Sequence, residues 1–513
     1  MKTQSDQSAA TTGARPGGSD WLVALAMMAA ALALRIPFRS HMAYHWDSAL
    51  FVLAVKDYNM QLGQPQAPGY FLYVMLGRLV SHFVGDPHAS LVWISVVFGS
   101  ALPALVYLIG TAMFGRWAGA TAGLLALTSP QVWFHSCVAL TYVVDSFLVC
   151  TVVLVLWLAM QRGGEWRDAI VVGALLAVVG GVREQSALAL GPLVLFAFWR
   201  FKHARAAKLA VAAGVSVGLG FLWFVPMVRM SGGLGTYLEI VRRGAAVNVT
   251  GPFLGGILYV RLKNLANMTG FCWNGLVLGG VMLVGAYLYW MFRMTHDQKK
   301  AWGNQHAQEL AVLAMWIAPM MALGVAIITD EPGQVLGYLP GWFVLTGAVV
   351  TSLKRGWCRA ATIAAICAIN VVAFVAWPPQ WDRVFFGMAR TAQEIAGHDA
   401  QLSRIVATIR ESYSPQEAVI CHADEYFLYG IRHFQLYLPE YDQYQLAIDL
   451  TTLHPPGKPM WCVRDGRLEF VDKLHVEGGK EILLFVPPGE GVDIFAPYFS
   501  PATLDSLAKR AVR

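Results

Sequence analysis

Leu91 to Phe114 reads LVWISVVFGSALPALVYLIGTAMF, an apolar run without one charged residue. It exceeds the roughly 20 residues that carry a helix across the hydrocarbon core of a bilayer. Trp21 to Leu34, Ala207 to Pro226 and Ala360 to Trp377 approach the same length. Of the 513 residues, 56% are hydrophobic and 14% charged, where soluble domains carry about 25% charged residues. A soluble fold could not hide so much apolar surface, so the expected fold is an all-α polytopic membrane bundle. The net charge of +6 lies in short basic clusters between apolar runs. That pattern speaks for membrane topology and against nucleic acid as a partner.

Working outward from this run, hydropathy gives about eleven or more spans. The first begins near Trp21. Others are expected at about 89–114, 118–134, 142–160, 207–228, 272–293, 309–328, 336–352 and 360–377. The stretch 168–199 is interrupted by Gly180-Gly181-Val182-Arg183-Glu184 and splits into two short helices, because charges in mid-span are costly. A cytoplasmic N-terminus puts Arg116, Arg162, Arg167, the Arg200 to Arg205 run, Lys299-Lys300 and Lys354-Arg355 all inside. The same alternation sends outward the loop at about 40–88, the Arg183 turn, a long Arg229 to Gly270 loop, the Asp330-Glu331 turn and everything after Trp377.

Residues 1–20, rich in Ser, Thr, Gly and Ala, read as a disordered cytoplasmic tail. The apolar stretch behind them reads as an uncleaved signal anchor, with cleavage after its Ala-rich run as the alternative. Residues 21–379 form the membrane domain, and 380–513 return to soluble composition. There, helical patterns at Trp381 to Ala396 and Gln401 to Glu411 precede strand-like Ala418 to Cys421 and Ile482 to Val486, predicting a small extracytoplasmic α/β domain. Of seven cysteines, five lie in or beside apolar runs and read as small hydrophobes. Cys421 and Cys462 lie in the soluble region, where a disulfide could join them. No P-loop, dinucleotide glycine pattern, HExxH or CxxC occurs, and no His/Cys cluster has metal-ligand spacing.

The segment that carries chemistry is His45-Trp46-Asp47-Ser48-Ala49-Leu50-Phe51, followed by Gln66-Ala67-Pro68-Gly69-Tyr70-Phe71-Leu72-Tyr73. A carboxylate just past the first span can take a proton from an attacking hydroxyl; it can also merely cap a helix starting at Ser48. Asp145 lies in the apolar run Val143 to Leu156. A charge there costs about 2.5–3.5 kcal/mol if deep, which suggests a purpose; in the headgroup layer it would be an ordinary solvated acid. Arg183 beside Glu184 can bind a lipid phosphate, or the two can pair with each other. Arg242, Arg243, Arg261 and Lys263 read as snorkelling cations that could also meet headgroups. His135 reads as structural. The sequons Asn248-Val249-Thr250 and Asn267-Met268-Thr269 are adequately explained by chance.

An acid past the first span, then a Pro-Gly/aromatic helix, resembles the first external loop of GT-C superfamily glycosyltransferases, in the branch of the protein O-mannosyltransferases and the lipid A aminoarabinose transferase. The resemblance continues through Thr141-Tyr142-Val143-Val144-Asp145, Gly181-Val182-Arg183 and Glu331-Pro332-Gly333-Gln334-Val335-Leu336-Gly337-Tyr338. It implies a GT-C-like bundle in a bacterial inner membrane, moving a mannose-like sugar or a pentose from a polyprenyl-phosphate donor to a hydroxyl of a protein, lipid or glycan. Asp47 and Asp145 would be catalytic, and His45, Trp46, Tyr70, Tyr142, Arg183, Gln334 and Tyr338 would contact substrate. The resemblance leaves room for a divalent metal. Two departures stand out: Ala49-Leu50 where many relatives have a second acid after Asp-Ser, and Gly337-Tyr338 where many have Arg-Tyr. Rival readings are a flippase of lipid-linked glycans, whose inverted repeat of broken helices is not seen, and a non-catalytic protein that binds envelope glycans.

Overall fold

The computed structural model describes residues 16–250, 256–327, 331–353, 355–376, 390–423, 428–446, 453, 455–476, 479–487 and 490–508. Most of the expected tail, Asp330, Lys354, Trp377 and the Trp381 end of the expected helix lie outside them. Helices α1 (Gly18–Arg35), α2 (Trp46–Lys56), α3 (Phe71–Val84), α4 (Pro87–Phe114), α5 (Arg116–Thr128), α6 (Pro130–His135) and α7 (Tyr142–Arg162) form the first half. They are followed by α8 (Trp166–Val182), α9 (Glu184–Ala189), α10 (Gly191–Arg200), α11 (Arg205–Met230), α12 (Leu234–Thr250), α13 (Gly256–Leu276), α14 (Leu278–Arg293), α15 (His296–Gln305), α16 (Ala307–Ala326), α17 (Leu339–Thr351) and α18 (Gly356–Val375). Among the described residues six helices are long and apolar enough to cross a membrane: α1, α4, α7, α11, α16 and α18. The pair α13 and α14, bent by 108°, brings the number to seven if it counts as one span, and α3 and α17 are shorter apolar helices.

The bundle is tied at the end that holds the start of α1. Ser19 and Asp20, assigned to the tail in the sequence, belong to α1. The buried Asp20 carboxylate accepts from Arg116 at 2.8 Å and from the Tyr107 hydroxyl at 3.0 Å. Arg162 reaches Asp168 at 2.5 Å across the turn between α7 and α8. Small residues set the central spacing: a Cβ on Gly347 would come 2.3 Å from the Ala118 carbonyl oxygen, so α17 and α5 approach closely only because glycine stands there.

Several breaks depart from the hydropathy reading. The expected span at 118–134 stops at Thr128 and restarts with Pro130 at the first turn of α6, the helix position that a missing N–H tolerates. The stretch 168–199 falls into three pieces, α8 to α10. The expected straight helix at 272–293 turns sharply at Val277, with Ser129 Oγ donating to the Gly275 carbonyl at 2.7 Å near the bend. The expected long outer loop at 229–270 is largely helical, as α12 and most of α13. There Arg242 and Arg243 meet Glu239, and Arg261 donates to the last carbonyls of α16, Val325 and Ala326, a favourable use of a cation at a helix C-terminus.

Beyond the bundle come α19 (Ala392–Ser412), β1 (Ala418–His422), α20 (Ile431–Tyr437), β2 (Asp442–Gln445), β3 (Met460–Arg464), β4 (Arg467–Val471), β5 (Glu481–Phe485) and α21 (Pro501–Ala508). The sheet order is β4-β3-β2-β1-β5, with β1 parallel to β2 and β5, and β3 antiparallel to both neighbours. Apolar residues cover both faces, with Ile420, Leu483 and Phe434 on one side and Val419, Leu484 and Phe495 on the other.

The register excludes the Cys421–Cys462 disulfide. Both cysteines align with Tyr444, Cys421 from β1 and Cys462 from β3. Two strand spacings of about 4.8 Å separate them by roughly 10 Å, beyond the ~7 Å reach of a bridge. Alkylation after denaturation without reductant is expected to modify both thiols; protection of the pair would contradict this register.

The sheet domain is clamped onto the first loop. Asp399 accepts from the backbone N–H of His41 at 2.6 Å and of Met42 at 3.0 Å, and Tyr437 accepts from Ala43 at 2.7 Å. Trp46 stacks on Trp461 at 6.2 Å and 12°, and the buried Arg432 lies 4.5 Å over the Trp461 ring while bonding Gln64 and the Leu62 carbonyl. First loop and sheet domain therefore share one side of the bundle. Reporter fusions after Arg359 and after Gln380 are expected to read cytoplasmic and extracytoplasmic respectively, as the basic short loops require. A cytoplasmic signal from the second would overturn that orientation.

Candidate functional site

The first loop opens with α2, whose N-cap is His45. The His45 Nδ1 accepts from the Asp47 backbone N–H at 3.2 Å. Asp47 therefore stands in the first turn, and the helix begins at Trp46, two residues before the start that the cap reading needs. A negative charge in the first turn suits the helix dipole. Tyr70 closes the loop as N-cap of α3 with φ +44°, the left-handed region that non-glycine residues seldom occupy, just after Gly69 at φ +122°. Its ring packs edge-on against Phe51 at 5.1 Å.

Electrostatics gathers the acids and the arginine around Tyr70. Burial pushes the Tyr70 phenol up to about 12; the Arg183 charge opposes that, and Asp47, Glu184 and Asp145 add to it. Asp47 is also within electrostatic reach of Tyr142 and Arg183. Three separate stretches of chain thus lie within electrostatic reach of one another.

Asp145 sits in the first turn of α7, buried, with Oδ2 accepting from Ser186 at 2.8 Å and Oδ1 buried with no hydrogen-bond partner in the protein. Its reading as a solvated headgroup acid does not fit this burial. Arg183 fills the break between α8 and α9, and its guanidinium lies 4.6 Å over the Tyr142 ring. No ion pair joins Arg183 to Glu184; Glu184 meets the Tyr237 hydroxyl at 3.4 Å. Asp145, Arg183, Gln334 and Tyr338 line one cavity of about 50 Å³, with Gln185, Ser186 and apolar residues of α16. The turn that delivers Gln334 and Tyr338 is held by Ser146 Oγ donating to Leu336 at 2.6 Å and by the Trp316 indole donating to Gly337 at 2.8 Å.

Trp46 is the expected substrate contact that the fold turns elsewhere: its buried indole stacks on Trp461, in the seam with the sheet domain. His135 is buried, its Nδ1 against the Gln131 carbonyl at 2.7 Å. Beside the cavity lies a charged cluster that the sequence did not single out. Arg390, immediately before α19, contacts Glu331 at 3.3 Å and Glu394 at 2.7 Å, and the Tyr44 hydroxyl donates to Glu394. Glu331 in turn lies 3.9 Å from His45 Nε2. Burial alone would raise the Glu331 carboxyl; the charge and hydrogen bond of Arg390 hold it below the usual range. Glu331 was visible as the start of a motif, whereas nothing around Arg390 distinguishes it in the sequence. Among the described residues no group of three His, Cys, Asp or Glu side chains is arranged to hold a metal ion.

Residues 65–230 match the profile of the dolichyl-phosphate-mannose-protein mannosyltransferase family, a stretch that contains Tyr70, Tyr142, Asp145 and Arg183. No curated protein sequence matches the chain. ArnT from Cupriavidus metallidurans bound to undecaprenyl phosphate superposes with a TM-score of 0.55 at 12% identity, over 85% of this chain and 87% of that one. The same protein in the apo state gives 0.52 at 13%, over 84% and 87%. An Archaeoglobus fulgidus oligosaccharyltransferase tethered to an acceptor peptide gives 0.46 at 13%, over 84% and 64%. The chain therefore has the GT-C fold seen in ArnT, and over residues 65–230 it resembles the dolichyl-phosphate-mannose-protein mannosyltransferases.

Proposed function

We propose that the chain is an integral membrane glycosyltransferase that moves one sugar from a polyprenyl-phosphate donor to an acceptor hydroxyl on the outer face of the membrane, with inversion. The observation that carries this is one cavity lined by the buried Asp145 and by Arg183, whose guanidinium lies 4.6 Å over Tyr142, with Asp47 within electrostatic reach of Arg183. The acceptor oxygen attacks the anomeric carbon and its proton passes to Asp47. The bond from that carbon to the phosphate oxygen breaks, and its electron pair leaves with the polyprenyl phosphate, whose growing charge Arg183 meets. Asp145, which lines the cavity and has one buried oxygen without a partner in the protein, accepts a hydrogen bond from a sugar hydroxyl. Gln334 and Tyr338 line the same cavity as sugar contacts, and His45, Tyr70 and Tyr142 shape its approach.

The sugar is a mannose-like hexose or a pentose, the acceptor a protein, lipid or glycan. Purified protein in bilayers, given a panel of radiolabelled polyprenyl-phosphate sugars with membrane acceptors, is expected to move label from lipid to acceptor. Label that crosses the bilayer still attached to its lipid would replace this reading with a flippase, and binding without transfer would make the chain a glycan-binding protein.

A further inference from the structure

Arg390 lies outside the cavity and touches none of the residues given a chemical role, yet its side chain is largely buried and every group around it is specific. One guanidinium nitrogen meets Glu331, another Glu394, and its carbon lies 6.0 Å from the Tyr44 ring centre and 5.6 Å from that of Phe134. It thus joins three stretches far apart in sequence: the first loop, the turn that carries Gln334, and α19 of the sheet domain. A buried pair of this kind is weak evidence for stability, because desolvation offsets most of the attraction. What it does supply is a fixed direction.

That direction continues inward. Since His45 Nδ1 accepts the Asp47 N–H, the ring proton belongs on Nε2, the nitrogen that faces Glu331 Oε1 at 3.9 Å. At that distance the contact is electrostatic. The tautomer is set from both sides, by the α2 backbone and by the carboxylate, in the way outer partners orient a working histidine.

We propose that Arg390 is a positioning residue: through Glu331 and His45 it fixes the N-terminus of α2, and with it the place of Asp47, so that the sheet domain completes the site without touching the substrate. This rests on the transferase reading of the site. A misplacement of about 1 Å at a reacting group can reduce rate about 10²-fold, so Arg390→Gln is expected to lower kcat roughly that much with little change in donor binding. Arg390→Lys keeps the charge and should retain most of the activity.

The pH profile separates this role from general loosening. Glu331 is faced by Arg390, His45, His135, Tyr44 and Tyr142. Without Arg390 the burial of Glu331 is less opposed and its pKa rises, so it takes up a proton at higher pH. The acid limb of kcat should therefore move to higher pH in Arg390→Gln and stay in place in Arg390→Lys.

The test is kcat, donor Kd and pH profile for wild type, Arg390→Gln, Arg390→Lys and Glu331→Gln, with hydrogen exchange over residues 44–48. Support is a kcat loss with unchanged Kd, a shifted acid limb, and faster exchange at the Asp47 amide in Arg390→Gln alone of the Arg390 variants. Near-normal turnover in Arg390→Gln overturns the proposal, and a raised donor Kd makes Arg390 a substrate contact instead. If Arg390→Gln fails to fold, Glu331→Gln decides, since it leaves Arg390 paired with Glu394; normal turnover and exchange there overturn the proposal. Exchange also reads the linkage without turnover. An inactive wild type with the expected exchange difference would count against the transferase reading alone.

Discussion

Asp47→Asn is expected to abolish sugar transfer while the protein stays folded and still binds the lipid donor. The amide has almost the same size and shape, and the bond that caps α2 runs from the Asp47 backbone N–H to His45, so the substitution leaves it in place. Loss of a negative charge in the first turn of a helix costs about 0.3–1 kcal/mol. Removal of a general base costs about 10² to 10⁴ in rate. The two readings thus differ by orders of magnitude in turnover while agreeing on near-normal stability. Transfer measured beside donor binding and thermal unfolding decides between them. A variant with near-normal turnover would eliminate Asp47 as the base and return the first loop to a structural role.

Which parts of this molecule the sequence reveals follows from how local each signal is. A membrane helix is declared by its own apolar run, so α1, α4, α7, α11, α16 and α18 all lie where hydropathy puts a span. The breaks are less legible, because they depend on partners. Thr128 to Pro130 could be read from the proline, but the bend at Val277 lies beside a Gly275 carbonyl that accepts from Ser129, distant in sequence. Amphipathic α12 has charge enough to pass for a loop, and only Tyr237 and Ile240 among its described large apolar residues are buried.

The same rule divides the site. Asp47, Asp145 and Arg183 are conspicuous because each is a charge beside apolar residues, an expensive arrangement that invites explanation. Arg390 is one arginine in a soluble-looking stretch, and its partners Glu331 and Tyr44 stand far from it in the chain. Trp46 misleads for a related reason. An aromatic residue beside a catalytic candidate suggests a sugar platform, yet its stacking partner, Trp461, lies in the sheet domain, where no local pattern could announce it.

Arg183→Ala is expected to impair use of the donor far more than use of the acceptor. In the proposed reaction the acceptor must lose a proton, while the lipid phosphate leaves as a stable anion that calls for positive charge. Arg183 is the arginine that lines the cavity, held over Tyr142 at 4.6 Å and not neutralised by Glu184. A preorganised donor to developing negative charge is worth about 10²–10³ in rate where one has been removed, and a contact to the bound phosphate adds to donor affinity. The variant should therefore show a lower kcat and a weaker donor Kd at an almost unchanged acceptor KM. Arg183→Lys should recover part of both, since a point charge keeps the attraction but loses the planar fork. Kinetics with both substrates varied, beside direct binding of the polyprenyl phosphate, make the distinction. If only the acceptor KM moves, Arg183 faces the acceptor, and the leaving phosphate must be met by another cation.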